Sequence, residues 1–370
     1  MKSVKSLLWS PAGITFLIVG FMISLVISGA DGDALALARI GTQFSEGDVN
    51  GTEGYDGQFV YYIAQELDPD KVAIHLDTPA YRYQRILLPL MARVLSLGSA
   101  QALPWVLAAI GLISHAVGTH VVTQLLVGWG VNRWYGLVYG LWVGFVMAVR
   151  FDLPEPLAYG LIAGAIMSIQ RGKKRLGWGL YGLALFAKEV TILFIAAQIL
   201  ADFMTRRWKD VLGLGLIALA PFALFQVWLW RVFGQPGINS GGAMATQFEL
   251  IPFMGLIRVL PFSQVYFLVL LVIYSPFVIF PAVWGLWSSI RRSLVEKDQS
   301  VADFGLMLNA IVIPFIPFST FREPAGMLRF SSGLILGVLL YAGNHNNKRA
   351  LNYCVFWIVL NVVLLNEFIR

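Results

Sequence analysis

The feature that most constrains this chain is its succession of apolar runs, many of them close to 20 residues long and almost free of charge inside. A helix crossing a ~30 Å hydrocarbon core needs about 20 such residues. Lipid offers no hydrogen-bond partner, so a spanning segment must satisfy its own backbone, which helices and closed barrels alone can do. Apolar residues make up 58% of the chain and charged residues 13%, against about 25% charged in a soluble domain. The expected fold is therefore an all-α polytopic membrane protein, with residues 1–370 forming a single integral membrane domain.

About eleven crossings are expected, at 11–30, 102–127, 134–149, 156–170, 176–187, 190–203, 211–233, 264–290, 303–321, 330–343 and 351–368. Lys2 and Lys5 precede the first run and orient the N-terminus to the cytoplasm. Ser28-Gly29-Ala30 has the look of a cleavage site, but the run before it exceeds the ~7–15 residues of a signal-peptide core. An uncleaved first span is the reading taken. Segments 176–187 and 190–203 would reach only ~18–21 Å as helices. As a hairpin turning at Lys188-Glu189, they keep the basic flanks Arg171 to Arg175 and Arg206 to Lys209 on the cytoplasmic side.

Two extracytoplasmic loops follow from this topology, a long one at 31–101 and a second at 234–262. The first is expected to be partly helical, with short helices at 34–40 and 54–67 and an apolar stretch, 86–97, suited to lie in the membrane interface. The second contains Gly237-Ile-Asn-Ser-Gly-Gly-Ala and has the composition of a mobile segment. No Gly-Lys-Ser/Thr follows it, so it is not a phosphate-binding loop. The single cysteine, Cys354, excludes an internal disulfide and a cysteine-based zinc site. His115 and His120 are five apart, not at a helical ligand spacing, and are expected to be satisfied core groups. Metalloprotease, nucleophile-elbow and dinucleotide fingerprints are missing, and the net charge of +6 is no nucleic-acid signal in a chain of this type. No metal site and no cofactor is indicated. A divalent cation is the one ion left open.

Polar residues that hydropathy does not explain gather on the extracytoplasmic side. Charges inside a membrane are expensive and usually face a cavity or a partner. Asp31, Asp33, Asp68 and Asp70 read as solvated loop charges. Lys188-Glu189 interrupts an apolar hairpin, and Arg322-Glu323-Pro324 sits between two spans with little loop around it. Asp56 opens a helical stretch, where a carboxylate is either a general base for an acceptor hydroxyl or a capping acid. Arg82 and Arg85 are three apart and share a helix face. Their planar forks suit phosphate oxygens, or else bind lipid headgroups or Asp77 for structural reasons.

Tyr55-Asp56-Gly57-Gln58-Phe59, Ile63-Ala64 and Arg82-Tyr-Gln-Arg-Ile-Leu-Leu-Pro89 resemble the first outer loop of C-type (GT-C) polytopic glycosyltransferases. Against the GPI mannosyltransferase II family, Asp56, Gly57, Ile63 and Ala64 match, while Tyr55 replaces the motif tryptophan and Val60 the motif tyrosine. The stretch is more similar to a bacterial family of cell-surface glycopolymer formation proteins, a likeness that extends to Glu155-Pro156, Ala187-Lys188-Glu189 and Arg322-Glu323-Pro324. The resemblance implies sugar transfer at the outer face of a bacterial cytoplasmic membrane, from a polyprenyl-phosphate-linked donor to a glycan or lipid acceptor. It implies Asp56 as catalytic base and Arg82, Arg85, Lys188, Arg322 and Arg329 around the donor phosphate. Tyr55, Gln58, Asp152, Glu155, Glu189 and Glu323 would support substrate. Membrane lipids are implied partners; nucleic acid is not, and no protein partner can be named. If Asp31-Gly-Asp33 is the counterpart of the acidic pair of other C-type enzymes, Asp56 yields the role of base. A glycan polymerase or ligase on lipid-linked substrates is one alternative. A transporter or flippase is the other, and it would call for inverted repeats and midplane charges.

Overall fold

The computed structural model describes residues 9–239, 241–293 and 299–364. Every regular element among them is helical. Five helices are long and apolar enough to cross a membrane: α1 (Pro11–Gly29), and, further on, Leu103–Gly128, Trp208–Phe233, Gln264–Arg291 and Pro324–Asn344. In α1, Ser10 accepts a hydrogen bond from the Gly13 amide and Pro11 occupies the first turn, where its missing donor is harmless.

Among the short helices of the first loop are α2 (Gly57–Gln65), α3 (Pro79–Tyr83) and α4 (Leu87–Leu95). Helix α4 buries Leu88, Pro89 and Ala92 and exposes Val94 and Leu95, the amphipathic pattern of the 86–97 stretch. The chain continues through α5 (Leu103–Gly128), α6 (Val143–Arg150), α7 (Glu155–Gln170), α8 (Lys174–Ala187) and α9 (Ile192–Met204). It then forms α10 (Trp208–Phe233) and α11 (Gln264–Arg291), α12 (Val301–Val312), α13 (Pro324–Asn344) and α14 (Lys348–Val355).

Segments expected as uninterrupted spans are broken in several places. The 134–149 stretch stops at Leu141 and restarts as α6, whose residues are all buried against α1, α5 and the first turns of α13. It belongs to the protein interior rather than to a lipid-facing surface. The 303–321 stretch breaks after Phe315, where Pro314 and Pro317 remove backbone donors. The 351–368 stretch runs from α14 into a narrower helix ending at Leu364, and its last residues lie outside those described.

The 176–204 region is a hairpin. Helix α8 ends where Lys188 turns extended, a single turn covers Glu189–Thr191, and α9 returns. At the open end, Lys174 pairs with Asp210 at 2.5 Å and Asp202 with Arg207 at 3.1 Å. At the tip, Lys188 meets Glu155 at the start of α7. The bundle thus has two polar ends. One gathers the first loop, the hairpin tip and the start of α13. The other gathers Lys174, Asp202, Asp210 and the Asp303–His345 contact.

Two further expectations are corrected. The second loop is tied down rather than loose. Its Ala243 amide donates to Asp77 at 3.0 Å, Thr246 bonds Ser319, and the Glu249 and Phe253 amides donate to the Phe315 and Pro314 carbonyls. His115 is buried with Nε2 at 2.8 Å from the Gly140 carbonyl oxygen, but His120 lies on an exposed face of α5.

Candidate functional site

Asp56 sits at the start of α2, yet its side chain makes no capping hydrogen bond. Gly57 explains how it reaches the site: a Cβ there would meet the Phe151 carbonyl oxygen at 2.1 Å. The absence of a side chain lets the first turn of α2 lie against the 151–155 connection. The Asp56 carboxylate then bridges two arginines. Oδ1 is 3.0 Å from an Arg82 nitrogen on α3, and Oδ2 accepts from Arg329 on α13 at 3.0 Å.

Arg82 also forks onto Asp77, donating from Nε at 2.7 Å and from Nη2 at 2.8 Å. Its guanidinium stacks 4.3 Å from the centre of the Phe59 ring. Arg85 forks onto Glu189 at 2.8 and 2.6 Å and donates to the Tyr81 hydroxyl at 2.6 Å. Lys188 donates to Glu155 at 2.6 Å, and Arg329 lies 3.6 Å from the same oxygen. Four carboxylates and four cations therefore interlock in a charge-balanced cluster. Elements far apart in the sequence converge on it: the first loop, the start of α7, the hairpin tip and α13.

A narrow cleft, partly open to solvent, lies over this cluster. Its polar wall is Asp56, Arg82, Arg85, Glu155 and Arg329; Phe59, Val60, Ile63, Pro89 and Leu153 form an apolar wall. Such a surface suits an amphiphilic ligand with an anionic group next to hydrocarbon.

Burial raises the Asp56 carboxyl, but Arg82 and Arg329 outweigh it and hold the group well below the usual carboxylate range. Its side chain remains 30% exposed, so it can still meet a ligand. Burial lowers Arg82, and Asp56 and Asp77 more than restore it, so the guanidinium is firmly charged. Asp77 is raised by burial and brought below its ordinary value by Arg82 and by the Ala243 and Thr78 amides. Burial pushes the Tyr55 phenol well up. It stays neutral and donates to Glu323 at 3.2 Å, while Arg329 lies over its ring.

Of the residues singled out in the sequence, Tyr55, Asp56, Arg82, Arg85, Glu155, Lys188, Glu189, Glu323 and Arg329 come together. Arg322 does not: it is exposed and lies over the Phe318 ring. Gln58 braces the first loop, donating to the Glu53 carbonyl and accepting from the Gly41 amide. Asp152 is buried in a left-handed backbone turn beside the cleft wall, and its carboxyl oxygens make no hydrogen bond. Burial, partly offset by Arg150, pushes its carboxyl well up. Asp33 and Asp68 cap short helical turns, which favours the plain reading of those loop acids. Asp77 enters as the second partner of Arg82, and Phe59 and Tyr81 as the rings that flank the arginines. Among the described residues, no three His, Cys, Asp or Glu side chains are placed to hold a metal ion.

No family model, curated protein or solved structure matches this chain.

Proposed function

We propose that this protein is a membrane glycosyltransferase of the GT-C type. It would move a sugar from a polyprenyl-phosphate donor to an extracytoplasmic glycan or lipid acceptor. The observation that carries this reading is the bridging of an exposed-edged carboxylate, Asp56, between Arg82 and Arg329 in a cleft with an apolar wall. The topology that goes with it has about eleven crossings or partial crossings. The N-terminus is cytoplasmic, and the clustered end faces outward from a bacterial cytoplasmic membrane.

In this mechanism the acceptor hydroxyl attacks the anomeric carbon and gives its proton to Asp56. The bond from that carbon to the phosphate oxygen breaks, and the lipid phosphate leaves with the electron pair. A phosphodiester with one charge becomes a monoester with two. Arg82, Arg85, Arg329 and Lys188 supply donors where that second charge grows. Clamped between two arginines, Asp56 is a poor base at rest. Donor phosphate, by drawing the same guanidinium donors, would release it and raise its basicity when needed.

The test is transfer of radiolabelled sugar from polyprenyl-phosphate donors by purified protein, with an Asp56→Asn variant beside it. Transfer by the wild type and loss of about 10²–10⁴-fold in a folded variant is the expected result. Full activity in Asp56→Asn would move the base elsewhere, with Asp31 and Asp33 next to be changed. Absence of turnover with every donor would count against an enzyme of this class.

A further inference from the structure

We infer that the second half of the second loop, residues 248–262, is seated in the lipid bilayer as an interfacial anchor. Phe248, Leu250, Ile251, Ile257, Leu260 and Phe262 are all exposed, Leu250 at 94% and Phe262 at 78%. An apolar surface of this kind, on a connection rather than a core, marks a contact with something apolar.

The occupant is identified by three observations. The first is continuity: α11 begins at Gln264, and its Val265, Leu268, Val269 and Val272 extend the exposed apolar surface along a helix long enough to cross a membrane. The second is charge. The segment carries only Glu249 and Arg258, and these pair with each other at 3.2 Å, leaving the acid 8% exposed. Arg258 itself stays 56% exposed, as a basic residue at the anionic headgroup layer would, and the rest of the surface is largely aliphatic, with Phe248 and Phe262. The third is the backbone. Amides 253, 254, 256, 257, 258, 259, 260 and 262 all find carbonyl partners within the segment or on Pro314, and Glu249 donates to Phe315. The turns over 253–262 thus satisfy most of their own backbone, which suits a seat at the membrane interface. The same segment connects to Ala243, which holds Asp77 and through it Arg82. A seat in lipid would therefore fix the depth of that contact at the headgroup layer, whatever reaction the cleft performs.

The test uses full-length protein in phosphatidylcholine–phosphatidylglycerol vesicles. Cys354 is fully buried, so Leu250→Cys, Phe262→Cys and, as an aqueous reference, Val49→Cys can each carry a nitroxide. Collision of each label with lipid-soluble oxygen and with a water-soluble nickel chelate is then compared. The expected result is a several-fold higher oxygen-to-nickel ratio at 250 and 262 than at 49. Nickel-dominated collision at both positions would overturn the proposal. So would labels at both positions that are immobilised and shielded from both reagents, since that pattern means a protein, or a second copy of this chain, covers the surface.

Discussion

Lys188 and Lys174 belong to the same helical hairpin, one at its tip and one at its open end, and each meets a carboxylate. Lys188 lies 2.6 Å from Glu155 and Lys174 lies 2.5 Å from Asp210. The surroundings differ. Lys188 and Glu155 are 9% and 1% exposed, and Glu155 is shared with Arg329. Lys174 is 43% exposed and simply ties the start of α8 to the start of α10. At the same end as Lys174, Arg207 ties to Asp202, and His345, just past α13, to Asp303 on α12; both acids are buried, but each contact joins one acid to one basic group. These are staples between helix ends. The cluster around Asp56 is different, because Asp56 and Glu155 each meet two cations and border a cleft. Burying charges in this way rarely adds stability over apolar packing of the same volume. A buried, interlocked set is therefore better explained by what it does at the cleft than by what it contributes to the fold.

The sharpest way to break the comparison is to neutralise one acid at each end. Asp56→Asn should lower sugar transfer by about 10²–10⁴-fold. Asp210→Asn, in the same assay, should leave turnover within about twofold, because a half-exposed pair is worth only about 0–1 kcal/mol. Equal losses at both ends would mean that the two regions do not differ in kind.

Next in size is stability at the hairpin tip. Lys188→Met leaves the buried Glu155 with Arg329 alone, 3.6 Å away, so the cost should approach, without reaching, the about 3–5 kcal/mol of a fully stranded buried charge. Denaturant unfolding in detergent should register that loss. The double variant Lys188→Met with Glu155→Gln should recover much of it, since the stranded charge is removed. A double variant no better than the single one would point to packing rather than charge.

Much of the site was visible in the sequence because charge in an apolar run is expensive and stands out. Lys188-Glu189 and the Arg82–Arg85 spacing are of this kind. Arg322 and Arg329 looked alike by that criterion. What separates them is the helix start at Pro324: Arg329 lies inside α13 on its inward face, and Arg322 lies before it and turns to Phe318. Asp77 was readable only as a structural partner of the arginines, because nothing local says which of several loop acids will fold back onto Arg82. The long helices were legible from hydropathy. The interruption at Leu141 was not, since a helix enclosed by protein and one facing lipid have the same apolar composition.

Acid offers a smaller, graded test. The folded Asp56 lies well below its ordinary value of 3.8. Its contribution to stability is therefore fully present above that value and is lost only as pH falls further, through the folded value. No loss from this group is expected between about pH 5 and 8. Arg82→Met removes the largest single Coulombic influence that lowers the carboxyl and leaves Arg329 to oppose burial. The acid-unfolding midpoint, followed by circular dichroism, should move to higher pH. An unmoved midpoint would mean that Arg329 alone keeps Asp56 ionised.

The smallest effect is expected at the open end of the hairpin. Lys174→Met removes the partner of Asp210, whose side chain is 14% exposed. Asp202 and Arg207 remain close by, and solvent screens what is left of the pair. Unfolding free energy should fall by about 1 kcal/mol or less, and raising the salt concentration in the wild type should weaken the pair in the same direction. The tip pair at Lys188 should be far less sensitive to salt, because ions cannot reach it. Matching salt responses at the two lysines would erase the distinction between staple and site. Divergent responses would give it a physical basis that does not depend on knowing the substrate.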